Sequence, residues 1–154
     1  MNGREKDRPI DIEIRPVSVE MDEMWSYYHD KSHQIWLWWA VDHETNVPLA
    51  YTFGTREHTY LAELLALLEP YSIGTVYADN NYAYQDRISS DKLVSGKKNT
   101  QKIERDHLTL RTPIKRLCRK TICFSKNKKI HIAVIGTFIN IHFFGRLFDV
   151  STIL

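Results

Sequence analysis

Three carboxylates carry the chemistry this sequence could do: Asp22 in "VEMDEMW", Asp79 in "TVYADNNYAY" and Glu104 in "TQKIERDHLTLR". Each has an ordinary reading when taken alone. Asp22 could sit on the wet face of a strand, Asp79 could start a turn, and Glu104 could face solvent on a helix. Brought to one point, they would repel one another unless cations lay among them. Mg²⁺ suits that role, because it is a hard ion that takes carboxylate oxygens and keeps waters for a substrate; Mn²⁺ is the close substitute. Glu20, Glu23 and Asp86 read as surface residues or as supports behind the first set. The seven histidines show no HExxH or comparable pair, so histidine metal ligation is not expected. Cys118 and Cys123, in "CRKTIC", lack the second Cys or His pair of a zinc site, even if His131 is counted. They read as reduced thiols, which fits the cytoplasm.

The elements that must position these carboxylates are legible in the hydrophobic pattern. "VSVEMDEMWSYY" alternates Val17, Val19 and Met21 against Ser18, Glu20 and Asp22, the period of a half-buried strand. "QIWLWWAVD" (34–42) is apolar on both faces and suits a strand covered on both sides, its Trp residues being core. "VPLAYTFGT" (47–55) follows a hairpin-sized loop as a third strand. "REHTYLAELLALLEPY" shifts to helical spacing, with Leu61, Leu64, Leu65 and Leu68 on one stripe and Pro70 closing it. "IGTVYADN" is a fourth strand ending at Asp79, parallel to a neighbour because a helix precedes it, and "DKLVSG" is a short fifth. From Thr100 a helix carries Ile103, His107 and Leu110 on one stripe, and Pro113 should kink or break it. Residues 130–144 read as a last helix by length. The predicted class is α/β: a mixed sheet of about five strands, three antiparallel and then parallel, flanked by helices. That order is the order of the ribonuclease H-like fold, in which the first strand lies beside the fourth. Asp22 and Asp79 then face each other across one strand spacing, about 4.8 Å, and Glu104 comes from a helix packed over the same edge.

Composition agrees with one compact domain. The chain has 154 residues, 43% hydrophobic and 26% charged, and its most apolar stretch is too short for a membrane-spanning helix. No signal peptide is evident. The formal net charge of +2 hides an asymmetry. Residues 1–91 hold 7 Lys/Arg against 16 Asp/Glu, whereas residues 92–131 hold 13 against Glu104 and Asp106 alone. A basic segment interleaved with Leu, Ile and Phe reads as a folded surface for phosphates or as a solvated helix face. Its candidates for holding a DNA backbone are Lys97, Lys98, Lys102, Arg105, Arg111, Lys115, Arg116, Arg119 and Lys120.

"VEMDEMW", "YADNNYAY" and the run through "IER", "LR", "RLCRK" and "FSK" resemble the catalytic region of the insertion-sequence-one transposases, within the DDE transposase and integrase superfamily. The resemblance spans about Val19 to Phe143, and the 24 residues between Asp79 and Glu104 match the short spacing it implies. It implies Asp22, Asp79 and Glu104 as the catalytic, metal-holding triad and Arg111 as the basic residue that follows the glutamate. It further implies Mg²⁺-dependent cleavage at element ends followed by strand transfer, DNA partners (terminal inverted repeats and target), an oligomer on DNA, and an upstream DNA-reading portion in cis or trans. Residues 17–144 are the expected catalytic domain, 1–16 an arm or linker remnant, and 145–154 a divergent tail. Two alternatives stand beside this: a nuclease on the same fold that cuts without joining, and an inactive DNA-binding remnant. A tyrosine recombinase is disfavoured, for want of a convincing Arg/His/Tyr set.

Overall fold

A computed structural model describes residues 15–118 and 122–145. Most of the expected N-terminal arm, Arg119, Lys120 and the tail from residue 146 lie outside the described residues. The elements, in chain order, are β1 (Val17–Tyr27), β2 (Gln34–Asp42), β3 (Pro48–Gly54), α1 (His58–Leu68), β4 (Ile73–Ala78), α2 (Tyr82–Arg87), β5 (Leu93–Ser95), α3 (Gln101–Arg111) and α4 (Lys128–Phe144). They form one five-stranded sheet in the order β3-β2-β1-β4-β5. The pairs β1/β2 and β2/β3 are antiparallel, whereas β1/β4 and β4/β5 are parallel. The first strand is therefore central, beside the fourth, as the element order requires.

Both faces of the sheet are covered, which explains why β2 carries no polar alternation. On one face Val19, Met21, Trp38 and Ala40 pack with Leu61, Leu64 and Leu68 of α1 and with Ala83 and Tyr84 of α2. On the other, Met24, Leu37, Trp39 and Val41 pack with Ile103 and Leu110 of α3 and with Ile135 and Ile139 of α4. Trp38 and Trp39 are both fully buried, and the Trp38 indole N–H donates to the Thr55 carbonyl at 2.8 Å.

The structure corrects the reading of β1. Its second face is not wet: Glu20 is 1% exposed beneath α3. Alternation marks a solvated face only when nothing packs on it, and a charged residue can be buried when every lone pair finds a donor. Glu20 and Glu23 are thus interior groups. Asp86 stays at the surface.

α3 ends at Arg111, two residues before Pro113, and its apolar stripe continues through Ile114 and Leu117 around a 3₁₀ turn at Lys115–Leu117. α2, only six residues long, was not anticipated; Asn81 caps it by accepting from the Ala83 N–H at 3.1 Å. No helix among the described residues is long and apolar enough to cross a membrane.

Candidate active site

Parallel pairing of β1 with β4 places Val19 beside Val76 and Glu20 beside Tyr77. The ladder ends there; carried two residues further, the same register would bring Asp22 level with Asp79, the first residue after β4. Val19, Met21, Val76 and Ala78 fill the α1/α2 core, so by strand alternation Asp22 and Asp79 both project toward the α3 face. The N-terminus of α3 is tied to the same strand. Glu20 Oε2 accepts from the Ile103 N–H at 3.1 Å, and Glu20 Oε1 lies 2.7 Å from His43 Nδ1. A buried carboxylate from β1 thereby satisfies one of the donors that a helix start leaves free, where the helix dipole also favours it. Glu104 is the next residue, exposed in the first turn.

Among the three acids, Asp22 carries the electrostatic signal. The Asp22 carboxyl is pushed up to about 7, first by burial and then by Glu23, Asp79 and Glu104, against one stabilising bond from the Glu23 N–H. Among the described residues the oxygens of Asp22, Asp79 and Glu104 do not all come within 4.8 Å of one another. They share an edge without yet converging. A set of carboxylates alone, in mutual repulsion, is the donor set a hard divalent cation fits. Asp79 also serves its turn: its Oδ1 accepts from the Asn81 N–H at 2.9 Å.

Several neighbours escape sequence reasoning. The Trp39 indole N–H donates to His107 Nε2 at 2.8 Å, with the two rings stacked at 5.5 Å. That bond leaves the imidazole proton on Nδ1, which lies 3.6 Å from Asp22 Oδ2. Burial, with Arg111 adding to it, pushes His107 down to about 3, so the ring is neutral. On the opposite sheet face Glu23 accepts from Asn81 Nδ2 and from the Tyr84 hydroxyl, both at 2.8 Å, with Arg56 at 3.7 Å. Glu23 therefore ties α2 and the turn after Asp79 back to β1. Of these groups two carried a signal: Glu23, read as a surface residue or a support behind the triad, and His107, by its place on the apolar stripe of α3.

The family profile for the IS1 transposase matches residues 16–145. The chain belongs to the IS1 transposase family. It is 52% identical over 125 residues to the insertion element iso-IS1n protein InsB of Shigella dysenteriae, covering 81% of this chain and 95% of that one. It is 39% identical over 125 residues to the insertion element IS1 protein InsB of Shigella sonnei, with the same coverage of 81% and 95%. Among solved structures it resembles a chain of a simian T-cell lymphotropic virus intasome complex, with a TM-score of 0.54 at 17% identity, over 82% of this chain and 49% of that one. At that identity the likeness speaks for the fold, which is ribonuclease H-like.

In this transposase catalytic domain the basic candidates fall into three groups. Lys97, Lys98, Arg105 and Lys115 face solvent. Lys102 and Arg116 are half-buried and engaged, Lys102 with the His43 carbonyl and Arg116 with Ser125 Oγ at 3.0 Å. Arg111, also half-buried, lines a small cavity with Trp25, Ser26 and Tyr27 of β1. Neither cysteine forms a disulfide, and His131 is a buried structural residue whose two ring nitrogens meet Ser26 Oγ at 2.7 Å and Ser125 Oγ at 2.8 Å. An open groove of about 710 Å³ between α4 and residues 113–116 contains none of the three carboxylates. Asp22 and Asp79 are half-buried, and Glu104 is exposed.

Proposed function

We propose that Asp22, Asp79 and Glu104 form the catalytic centre of a DNA transposase that cleaves phosphodiesters at element ends and joins the freed 3′ ends to target DNA. The observation that carries this is the parallel pairing of β1 with β4, which runs Asp22 toward the Asp79 turn, with Glu104 in the first turn of the helix tied to β1 by Glu20; the Asp22 carboxyl is raised first by burial and then by Glu23, Asp79 and Glu104. Mg²⁺ or Mn²⁺ held by these three side chains would supply Lewis-acid activation of the attacking and leaving oxygens. The chain's own contribution is position. Asp22 is held by the Glu23 N–H, with the neutral His107 ring 3.6 Å away, Asp79 by the Asn81 N–H, and Glu104 by the anchoring of α3 on Glu20. Exposed Glu104 can change rotamer at small cost, which lets the triad close.

The solvent-facing Lys97, Lys98, Arg105 and Lys115 flank α3 and would hold the DNA backbone, with Arg111, Lys102, Arg116, Arg119 and Lys120 as further contacts. Four such contacts predict that log affinity for duplex DNA falls with log salt at a slope of about −3.6. A slope near zero in a fluorescence-anisotropy titration would remove the basic face from the mechanism. The partners would be terminal repeats and target DNA, engaged by an oligomer in the cytoplasm and directed by an upstream DNA-reading portion.

The test of function is strand transfer. Purified protein incubated with terminal-repeat DNA and Mg²⁺ or Mn²⁺ should yield joined products that disappear with chelator. Nicked products without joining would return the chain to a simple nuclease, a reading that membership of a transposase family does not favour.

A further inference from the structure

We propose that the β1–β2 hairpin carries a second metal site, in which His29, Asp30 and His33 take a borderline divalent transition ion such as Zn²⁺. Separate histidines in the sequence are brought together by the turn. His29 Nδ1 lies 3.0 Å from Asp30 Oδ2 and His33 Nδ1 lies 3.1 Å from Asp30 Oδ1, and three ligand atoms, one from each residue, lie within 4.8 Å of one another. Zinc bound tetrahedrally at about 2.0–2.2 Å requires donors about 3.3 Å apart. The two nitrogen–oxygen distances, one to each oxygen of Asp30, fall within a few tenths of an ångström of that value. Two imidazoles and one carboxylate are also the donor types that separate zinc, nickel and copper from magnesium.

The hairpin is built to keep this arrangement. His29 has φ of 60°, a left-handed conformation that side chains adopt reluctantly. Its N–H donates to the Ser125 carbonyl, beside the Tyr28–Ser125 bridge, so the segment before α4 holds the strained residue in place. Tyr28 packs on the His33 ring at 5.1 Å. The Ser32 N–H donates to Asp30 Oδ1 at 2.8 Å and its hydroxyl donates to the same oxygen. All three ligands are exposed, which leaves room for solvent to complete the coordination.

The site is separate from the Asp22 edge. Tyr27 stands five steps along the extended strand from Asp22, about 17 Å at ~3.3 Å per residue. An ion here would clip the hairpin and would not touch the substrate of the proposed reaction. The inference does not depend on the catalytic assignment.

The experiment uses untagged protein carrying Cys118→Ser and Cys123→Ser, so that free thiols do not compete. Titration with ZnCl₂ by calorimetry in 5 mM Mg²⁺ should show one equivalent bound at micromolar Kd. His29→Ala and His33→Ala should each weaken it at least tenfold, and Asp30→Asn by a similar factor. Co²⁺ in place of Zn²⁺ should give the visible absorption of a low-coordinate site in the parent and not in the double histidine variant. Equal zinc affinity in parent and double variant, or no zinc binding by the parent at 100 µM, overturns the proposal.

Discussion

Asp22→Asn should abolish strand transfer and, in metal-free buffer at pH 8, make the chain more stable. Loss of a ligand to the reaction's cation should cost about a thousandfold or more in rate. The stability gain follows from the sign of linkage. In the unfolded chain Asp22 titrates near 3.8, and in the folded chain near 7. The native state therefore holds the extra proton between those values, and the stability this contributes is present below about 3.8 and lost as pH rises through about 7. Above 7 the wild type carries a partly buried carboxylate repelled by Glu23, Asp79 and Glu104; asparagine removes that penalty while still accepting from the Glu23 N–H. A gain of about 2–4 kcal/mol is the expected scale. Thermal melts in chelator across pH 5–8 should show the two proteins diverging as pH rises. Adding Mg²⁺ should then stabilise the wild type and leave the variant nearly unmoved. Asp79→Asn and Glu104→Gln should lose activity too, Glu104→Gln with a smaller stability change because Glu104 is exposed. A variant that joins DNA near the wild-type rate, or an Asp22→Asn protein less stable than its parent at pH 8, would sink the assignment of Asp22.

Glu20→Ala should be the most damaging substitution for the site that touches neither metal nor DNA. Glu20 is 1% exposed, receives the Ile103 N–H and pairs with His43, whose ring packs on Tyr77 at 4.4 Å. Alanine would leave a buried helix-start donor without its acceptor and a half-buried imidazole without its partner, a loss of about 2 kcal/mol. Because Glu104 follows Ile103, loosening that helix start also releases the third carboxylate. Urea unfolding should show a lower midpoint, and metal-dependent joining should fall with it. Glu20→Gln keeps an oxygen for the Ile103 N–H and should retain more than half of the lost stability. If alanine and glutamine behaved alike and both resembled the wild type, the anchoring of α3 by Glu20 would be refuted.

How much of this was readable before folding differs from residue to residue, for physical reasons. The strands and helices follow local periodicity: two-residue alternation in β1, continuous apolar character in β2, the Leu61/Leu64/Leu68 stripe in α1 and Ile103/His107/Leu110 in α3. Those patterns are properties of short stretches of chain, and with the element order they set the sheet and put Asp22 and Asp79 on neighbouring strands. α2 escaped because six residues span too few turns to show a period. Partnership between distant residues was beyond local pattern. Nothing around Glu20 says that an N–H 83 positions later will enter its shell, and the same holds for Glu23 with Tyr84 and for Trp39 with His107. Likewise, histidines at 29 and 33 look scattered until a left-handed residue turns the hairpin and aims both rings at one carboxylate. Backbone periodicity is encoded within about a dozen residues. Satisfaction of buried polar groups is a condition on the whole fold, so the chain's local pattern specified the scaffold and its acidic edge, and tertiary packing alone chose which polar side chains hold that edge in place.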